Sequence, residues 1–173
     1  FAGVFNSSRT GDNSGGSGMT QEQIKAISED PKAFLLQGRK AKELITAKRE
    51  RIDSWHRLAE SITVTLKPDG GSAPGGYKQS LVENAVCNIV DLENEIVAEI
   101  EALVCIEKDI REAISLFVTD DRYKAVLEMR YLNGYSWRSI GSRLYYGEDW
   151  VCRLHGAALQ EMKQNAEKSA LSA

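Results

Sequence analysis

The stretch LVENAVCNIVDLENEIVAEIEALVCIEKDIREAISLF, residues 81–117, decides the fold of this chain. Its apolar side chains recur every seven residues, and a second apolar set follows three positions later, which is the heptad pattern of a coiled-coil helix. The first set is Val82, Ile89, Ile96, Leu103, Ile110 and Phe117, and the second is Ala85, Leu92, Ile106 and Ala113. Glu99 interrupts the second set. Further apolar residues widen this face, so we expect more than one partner helix.

The preceding segment predicts a second long helix. Asp30-Pro31 suits a helix entry, because proline is favoured at the first helical position. The apolar residues that follow recur at steps of three, four or seven; they are Phe34, Ala41, Ile45, Ile52, Trp55, Ala59 and Ile62. Residues 31–62 carry eight basic and four acidic side chains, whereas residues 82–118 carry two basic and nine acidic ones. Because these opposite charges favour pairing, we predict an all-α protein built on a long, coiled-coil-like antiparallel hairpin.

A Gly- and Pro-rich run, residues 64–80, separates the two helices and holds Pro68, Pro74 and two Gly-Gly pairs. Such a composition disfavours a helix, so we expect a flexible loop at which the chain reverses. Residues 19–118 are then a hairpin, and its surplus apolar surface predicts a homodimer formed through the long helices. Acidic and basic residues along the two helices are interpreted mainly as partners of each other.

Residues 1–18 contain five Gly and four Ser and have little periodic apolar content. We interpret them as a flexible leader or a cloning remnant. Met19 follows, and Thr20-x-x-Gln23 has the spacing of a capping box, which marks the start of a helix. The fold is therefore expected to begin near residue 19.

The overall composition excludes several classes of protein. The chain has 173 residues, 42% hydrophobic and 27% charged, and a net charge of −3, which excludes a polybasic chain that binds polyanions through bulk charge. Cys87, Cys105 and Cys152 are widely spaced, so we expect reduced thiols in a cytoplasmic protein, without a disulfide or a metal site. No apolar run approaches the ~20 residues of a membrane span. No phosphate loop, nucleophile elbow or paired catalytic carboxylates occur, and we expect neither enzymatic activity nor a cofactor.

The remaining segment predicts a helix-turn-helix domain over residues 119–165, followed by a tail, 166–173. Thr119-Asp120-Asp121 suits a helix start and Asn133-Gly134 a helix end. Ser136 then caps a second helix, and a tight turn at Tyr145-Tyr146-Gly147 precedes a third. Gly141 allows the last two helices to approach closely. Trp137 and three tyrosines, Tyr131, Tyr145 and Tyr146, are interpreted mainly as core residues.

Periodicity within the third helix separates its inner face from its outer face. Val151, Leu154 and Ala158 are expected to face inward, so Glu148, Asp149, Cys152, Arg153 and Gly156 lie on the face that would enter a major groove. Arg138 and Arg143 could meet phosphates, and His155 could either contact a phosphate or serve the fold. Gly147, Glu148 and Asp149 stand at the start of this helix, where the two acids would repel phosphates, although either could accept a hydrogen bond from cytosine N4. The predicted DNA contacts are Arg138, Arg143, Gly147, Glu148, Asp149, Cys152, Arg153 and His155.

The same residues resemble region 4 of bacterial sigma factors. The resemblance is carried by Leu127-x-x-Arg130-Tyr131-Leu132-x-Gly134-x-Ser136-Trp137-x-x-Ile140-Gly141-x-x-Leu144, and later by Val151 and Ala158-Leu159. The fuller pattern, ending in Val151-x-Arg153-Leu154-His155-Gly156-x-Ala158-Leu159, is similar to phage transcriptional regulators of the ArpU and RinA type. This resemblance implies a dimeric regulator that binds double-stranded DNA and could contact RNA polymerase. It does not extend to the sigma segment that melts promoter DNA.

Two other functions are compatible with the same sequence. A small-terminase-like subunit for DNA packaging could combine a helix-turn-helix with a coiled coil in a ring. Alternatively, the helix-turn-helix could be kept for protein contact alone, because residues 119–173 carry eight basic and seven acidic side chains and so lack a strong basic surface. Stoichiometry would separate a dimeric regulator from a packaging ring.

Overall fold

The computed structural model describes residues 18–64 and 75–171, and all regular structure in these residues is α-helical. The fold is therefore all-α, as predicted. In this part of the chain the helices are α1 (Gln21–Glu29), α2 (Pro31–Val64), α3 (Gly75–Phe117), α4 (Asp121–Tyr131), α5 (Trp137–Leu144) and α6 (Glu148–Leu171). No helix in the described ranges has the length and apolarity that a bilayer crossing requires.

Helices α2 and α3 pack along each other as an antiparallel hairpin. The ammonium group of Lys48 lies 2.7 Å from a carboxylate oxygen of Glu95 and 2.5 Å from one of Glu99, and Lys42 lies 2.6 Å from Glu107. Residue numbers thus rise along one helix as they fall along the other. The hydrogen bonds that the Lys48 ammonium donates to both glutamates raise its pKa. The predicted attraction between a basic and an acidic helix is confirmed. Glu99, which interrupts the apolar pattern, forms one of these ion pairs with Lys48.

The bounds of two segments differ from those predicted. Helix α3 begins at Gly75, so residues 75–80 are helical rather than part of the loop; residues 65–74 lie outside the described ranges. The first turn of a helix has no intrahelical acceptors for its N–H groups, and glycine is tolerated there more readily than in a helix interior. Helix α6 continues to Leu171 with Ala166 buried, so residues 166–171 extend the helix instead of forming a separate tail. Of the predicted leader, residues 1–17 are likewise outside the described ranges.

Helix α1 joins the base of the hairpin to the C-terminal helices. The predicted capping box is present: the Thr20 side chain accepts from the Gln23 backbone N–H, and the Gln23 side chain accepts from the Thr20 N–H. Ile24 and Ile27 of α1 are buried against both parts of the protein. Beside them, the Gln23 side-chain amide donates to Asp109 of α3 over 2.7 Å. The sequence marked the start of this helix but did not indicate what it packs against.

One apolar core links the hairpin to the helix-turn-helix segment. Its buried members come from α1, α2, α3, α4 and α6, and include Phe34, Leu35, Ile110, Ile114, Phe117, Leu127, Tyr131, Ala158 and Met162. Polar contacts cross the same junction: Asn165 donates to the Phe117 carbonyl, and Glu161 accepts from the Thr119 N–H over 2.8 Å. The boundary predicted at 118/119 therefore separates two sequence segments that share a core.

Candidate nucleic-acid interface

The candidate site is built on α4, α5 and the first half of α6. Asp120 caps α4 by accepting from the Arg122 N–H, and the Arg122 guanidinium holds the pKa of this carboxyl below its usual range. Gly134, at φ 73°, allows the reversal after α4, since this region of backbone space favours glycine. Ser136 then caps α5 by accepting from the Ser139 N–H over 3.2 Å. These caps fall where the sequence predicted them.

A tight turn sets α6 across α5. The Tyr146 N–H donates to the Gly141 carbonyl over 2.9 Å, and Tyr145 takes the left-handed conformation, with φ 59° and ψ 37°. A Cβ atom on Gly141 would lie 2.6 Å from the Tyr146 carbonyl oxygen. A side chain at this position would therefore overlap the turn. The sequence predicted a small residue here for the approach of the two helices, and the atom that it makes room for belongs to the turn before α6.

A small apolar core fixes the orientation of α6. Val126, Ile140, Val151 and Leu154 are buried together, and Ala158 belongs to the larger core beside them. The predicted inward face of α6 is thus confirmed. Its predicted outward residues are all exposed: Glu148, Asp149, Cys152, Arg153 and Gly156. Gly147 is exposed at the start of the helix.

Three arginines lie on the surface of α5 and α6. Arg138 is exposed on α5, and the Arg143 guanidinium stacks over the Tyr135 ring at 4.2 Å. The Arg153 guanidinium lies 5.3 Å from the centre of the Trp150 ring, and its Nε donates to the Asp149 carbonyl over 3.4 Å. Among the described residues, none of these arginines forms an ion pair with a carboxylate. Their charges remain available to an anionic partner.

His155 lies apart from this surface. It shares a 2.9 Å hydrogen bond with the Tyr131 hydroxyl and packs edge-on against Trp137 at 4.8 Å. Burial lowers the pKa of His155 to about 4 and raises that of Tyr131 to about 12, so both groups are neutral at pH 7. Of the two roles expected for His155, the geometry matches the one that serves the fold.

Exposed aromatic side chains cluster around the turn and the start of α6. Tyr145 is 95% exposed, Trp150 45% and Tyr146 37%, whereas Tyr131 is buried and Trp137 is half-buried. The expectation of a core role is thus wrong for Tyr145 and for Tyr146. Trp150 was not identified from the sequence, although its position next to Val151 places it on the flank of α6, between the buried and exposed faces.

Comparisons of the chain with models of protein families, with curated proteins and with solved structures find no match. The resemblance to sigma region 4 therefore stays a prediction carried by residues 127–159.

Proposed function

We propose that the protein binds duplex DNA through α5 and α6 and acts as a phage-type transcription regulator in the cytoplasm. The main support is the exposed face of α6 that carries Arg153, together with Arg138 and Arg143 on α5. A helix pair of this kind places its second helix in the major groove while the first crosses the sugar-phosphate backbone. In that arrangement Arg153 reads a base edge or a nearby phosphate, and the other two arginines position the domain on phosphates.

The two carboxylates at the start of α6 limit the affinity for DNA. Glu148 and Asp149 are favourable for the helix, because they oppose the positive end of its dipole, but they repel phosphates. Either can accept a hydrogen bond from cytosine N4, which favours sequence discrimination over general affinity. A second DNA-binding unit or contact with RNA polymerase would then supply the remaining affinity.

The outer face of α3 supports self-association. Val86, Val90, Glu93, Val97, Ile100 and Val104 alternate at steps of four and three residues, which forms a second heptad seam beside the one that faces α2. Four of its five apolar members are 48–62% exposed, and Ile100 is 36% exposed. In an antiparallel dimer the α3 helix of the second copy runs in the opposite direction. Val86 of one copy then lies opposite Val104 of the other, and Val90 lies opposite Ile100. The same arrangement sets Glu93 opposite Val97. A parallel arrangement would instead bring the two Glu93 carboxylates together, so the antiparallel one is favoured.

Light scattering on purified protein tests this dimer. Val97→Glu should give a monomer that keeps the parent's helical content, because the side chain is exposed within one copy. It should melt somewhat below the dimeric parent, because association stabilises the folded state. Leu116→Glu is a matched control, since Leu116 is 58% exposed on α3 but lies off the seam. A parent that is monomeric at tens of micromolar contradicts the dimer, and a ring of eight or more copies favours the packaging alternative.

DNA binding is tested by selecting bound fragments from a random duplex pool and measuring fluorescence anisotropy over a salt series. Arg153→Ala should weaken binding to the selected site by about 1–3 kcal/mol and relax preference at one position if it reads a base. Arg143→Ala should weaken binding to all sequences alike and lower the salt slope by about one. Arg57→Ala is the control: it removes an equal charge from the exposed surface of α2 and should leave the salt slope unchanged. If the parent shows no salt-dependent binding to any duplex, the protein-contact alternative replaces this proposal.

A further inference from the structure

Tyr145 occupies a backbone conformation that a tyrosine does not favour. Among the described residues it is the one non-glycine residue with a positive φ, at 59°. It is the C-cap residue of α5, and this position usually carries glycine or asparagine, because a Cβ atom crowds the backbone in the left-handed region. The capping hydrogen bond here, from the Tyr145 N–H to the Gly141 carbonyl, uses the backbone alone. Any residue except proline could make it.

The side chain of Tyr145 makes no contact with either apolar core that would compensate for this strain. It is 95% exposed, and it belongs to neither of the two apolar cores described above. A large aromatic ring that is fully exposed at a strained position destabilises the folded state relative to asparagine or glycine. A bulky residue at positive φ is an outlier, and strained backbone conformations cluster at functional sites.

The surroundings of Tyr145 indicate the chemistry of that contact. The residue lies in the turn between α5 and α6, two positions after Arg143 and three before the start of α6 at Glu148. Two further aromatic side chains nearby, Tyr146 and Trp150, are partly exposed. In a docked helix-turn-helix this turn lies beside the wall of the major groove, where the accessible groups are phosphate oxygens and sugars.

We propose that Tyr145 contacts DNA directly, its hydroxyl donating a hydrogen bond to a backbone phosphate beside the groove that α6 enters. This inference rests on the proposed DNA binding and names a residue that the sequence assigned to the core. Because the phenol is neutral, the contact releases no counterion. It fixes the register of α6 on the duplex and carries no sequence preference of its own.

The test compares Tyr145→Asn and Tyr145→Phe with the full-length parent on the duplex that the parent selects. Tyr145→Asn relieves the backbone strain, so its melting temperature should rise by about 2–4 °C. Its affinity for the duplex should nevertheless fall about five- to tenfold. Tyr145→Phe should melt as the parent does and also bind more weakly, with an unchanged salt slope. Arg143→Ala, by contrast, should lower that slope.

The outcomes separate this inference from the function on which it rests. If the parent binds in a salt-dependent manner and Tyr145→Asn binds equally well, the contact is refuted while DNA binding stands. If Tyr145→Asn melts below the parent, the tyrosine is retained for stability, and the inference is also refuted. If the parent binds no duplex at all, both the proposed function and this contact fail.

Discussion

Replacing Gly141 with alanine tests the close approach on which the helix-turn-helix depends. An added Cβ would lie 2.6 Å from the Tyr146 carbonyl oxygen, whereas its distances to the Glu148 nitrogen and the Gly147 carbonyl carbon would be an ordinary 3.7 Å. The obstructing atom belongs to the backbone of the turn, so a side-chain rotation cannot relieve the overlap. Either α5 or the turn must shift by several tenths of an ångström.

Two opposing effects set the size of the change. Alanine in a helix interior gains about 0.5–1 kcal/mol over glycine, because the unfolded chain loses less entropy on folding. Overpacking of a tight contact costs about 1–3 kcal/mol. We expect Gly141→Ala to lower the free energy of unfolding by about 1–2 kcal/mol and the melting temperature by about 2–8 °C.

Gly156→Ala is the matched control. Gly156 also lies inside a helix, but a Cβ there would meet nothing within 4 Å. This variant should therefore show only the propensity gain and be more stable than the parent by about 0.5–1 kcal/mol. Thermal and urea unfolding followed by circular dichroism measure both changes. If Gly141→Ala were as stable as Gly156→Ala, the Tyr146 carbonyl would not approach α5 as closely as described.

Two further predictions concern partly buried polar groups. Lys48→Met should destabilise the hairpin by about 1–2 kcal/mol, because Glu99 loses its ion pair while one of its oxygens already lacks a hydrogen-bond partner. The double variant Lys48→Met/Glu99→Leu should recover that loss in thermal melts, and no recovery would show that the ion pair is not the cause. His155 is neutral when folded, with its pKa lowered to about 4 by burial, so it should contribute stability that is complete above pH 6.5 and is lost as the pH falls from 6.5 to 4. His155→Asn should flatten the dependence of stability on pH across that window, and an unchanged slope would contradict the assignment.

The parts of the fold that sequence predicts are those set by local or repetitive chemistry. The heptad pattern around Ile96 requires a helix with a helical partner, and the opposite charges of the two segments identify that partner. Caps such as Thr20 and Ser136 depend on residues only three positions apart. Gly141 is predictable for the same reason, because the sequence spacing of a helix-turn-helix fixes where its two helices cross.

The missed features depend on contacts between distant parts of the chain. The packing of Ile24 and Ile27 against α6 joins residues more than 130 positions apart, and no local pattern indicates such a pairing. His155 follows the buried Leu154, yet only the three-dimensional position of Tyr131 shows that its ring is engaged inside the domain. The positive φ and the exposure of Tyr145 depend on how the turn joins α5 to α6 in space, which the sequence Tyr-Tyr-Gly does not indicate.

The shared core has a consequence for how a dimer would bind DNA. Because Phe34 of α2 and Ile110 of α3 are buried with Met162 of α6, the hairpin and the exposed face of α6 proposed to bind DNA cannot move independently without exposing apolar surface. An antiparallel dimer through the seam centred near residue 95 places the two hairpin bases at opposite ends. At ~1.5 Å per residue, the 15–22 residues from that centre to the last turns of α3 separate the two bases by about 45–65 Å along the hairpin axis.

That distance exceeds one turn of duplex DNA, about 34 Å, so the half-sites in selected fragments should lie more than one turn apart. Adjacent half-sites within a single turn would favour a different dimer or a hinge between the hairpin and α6.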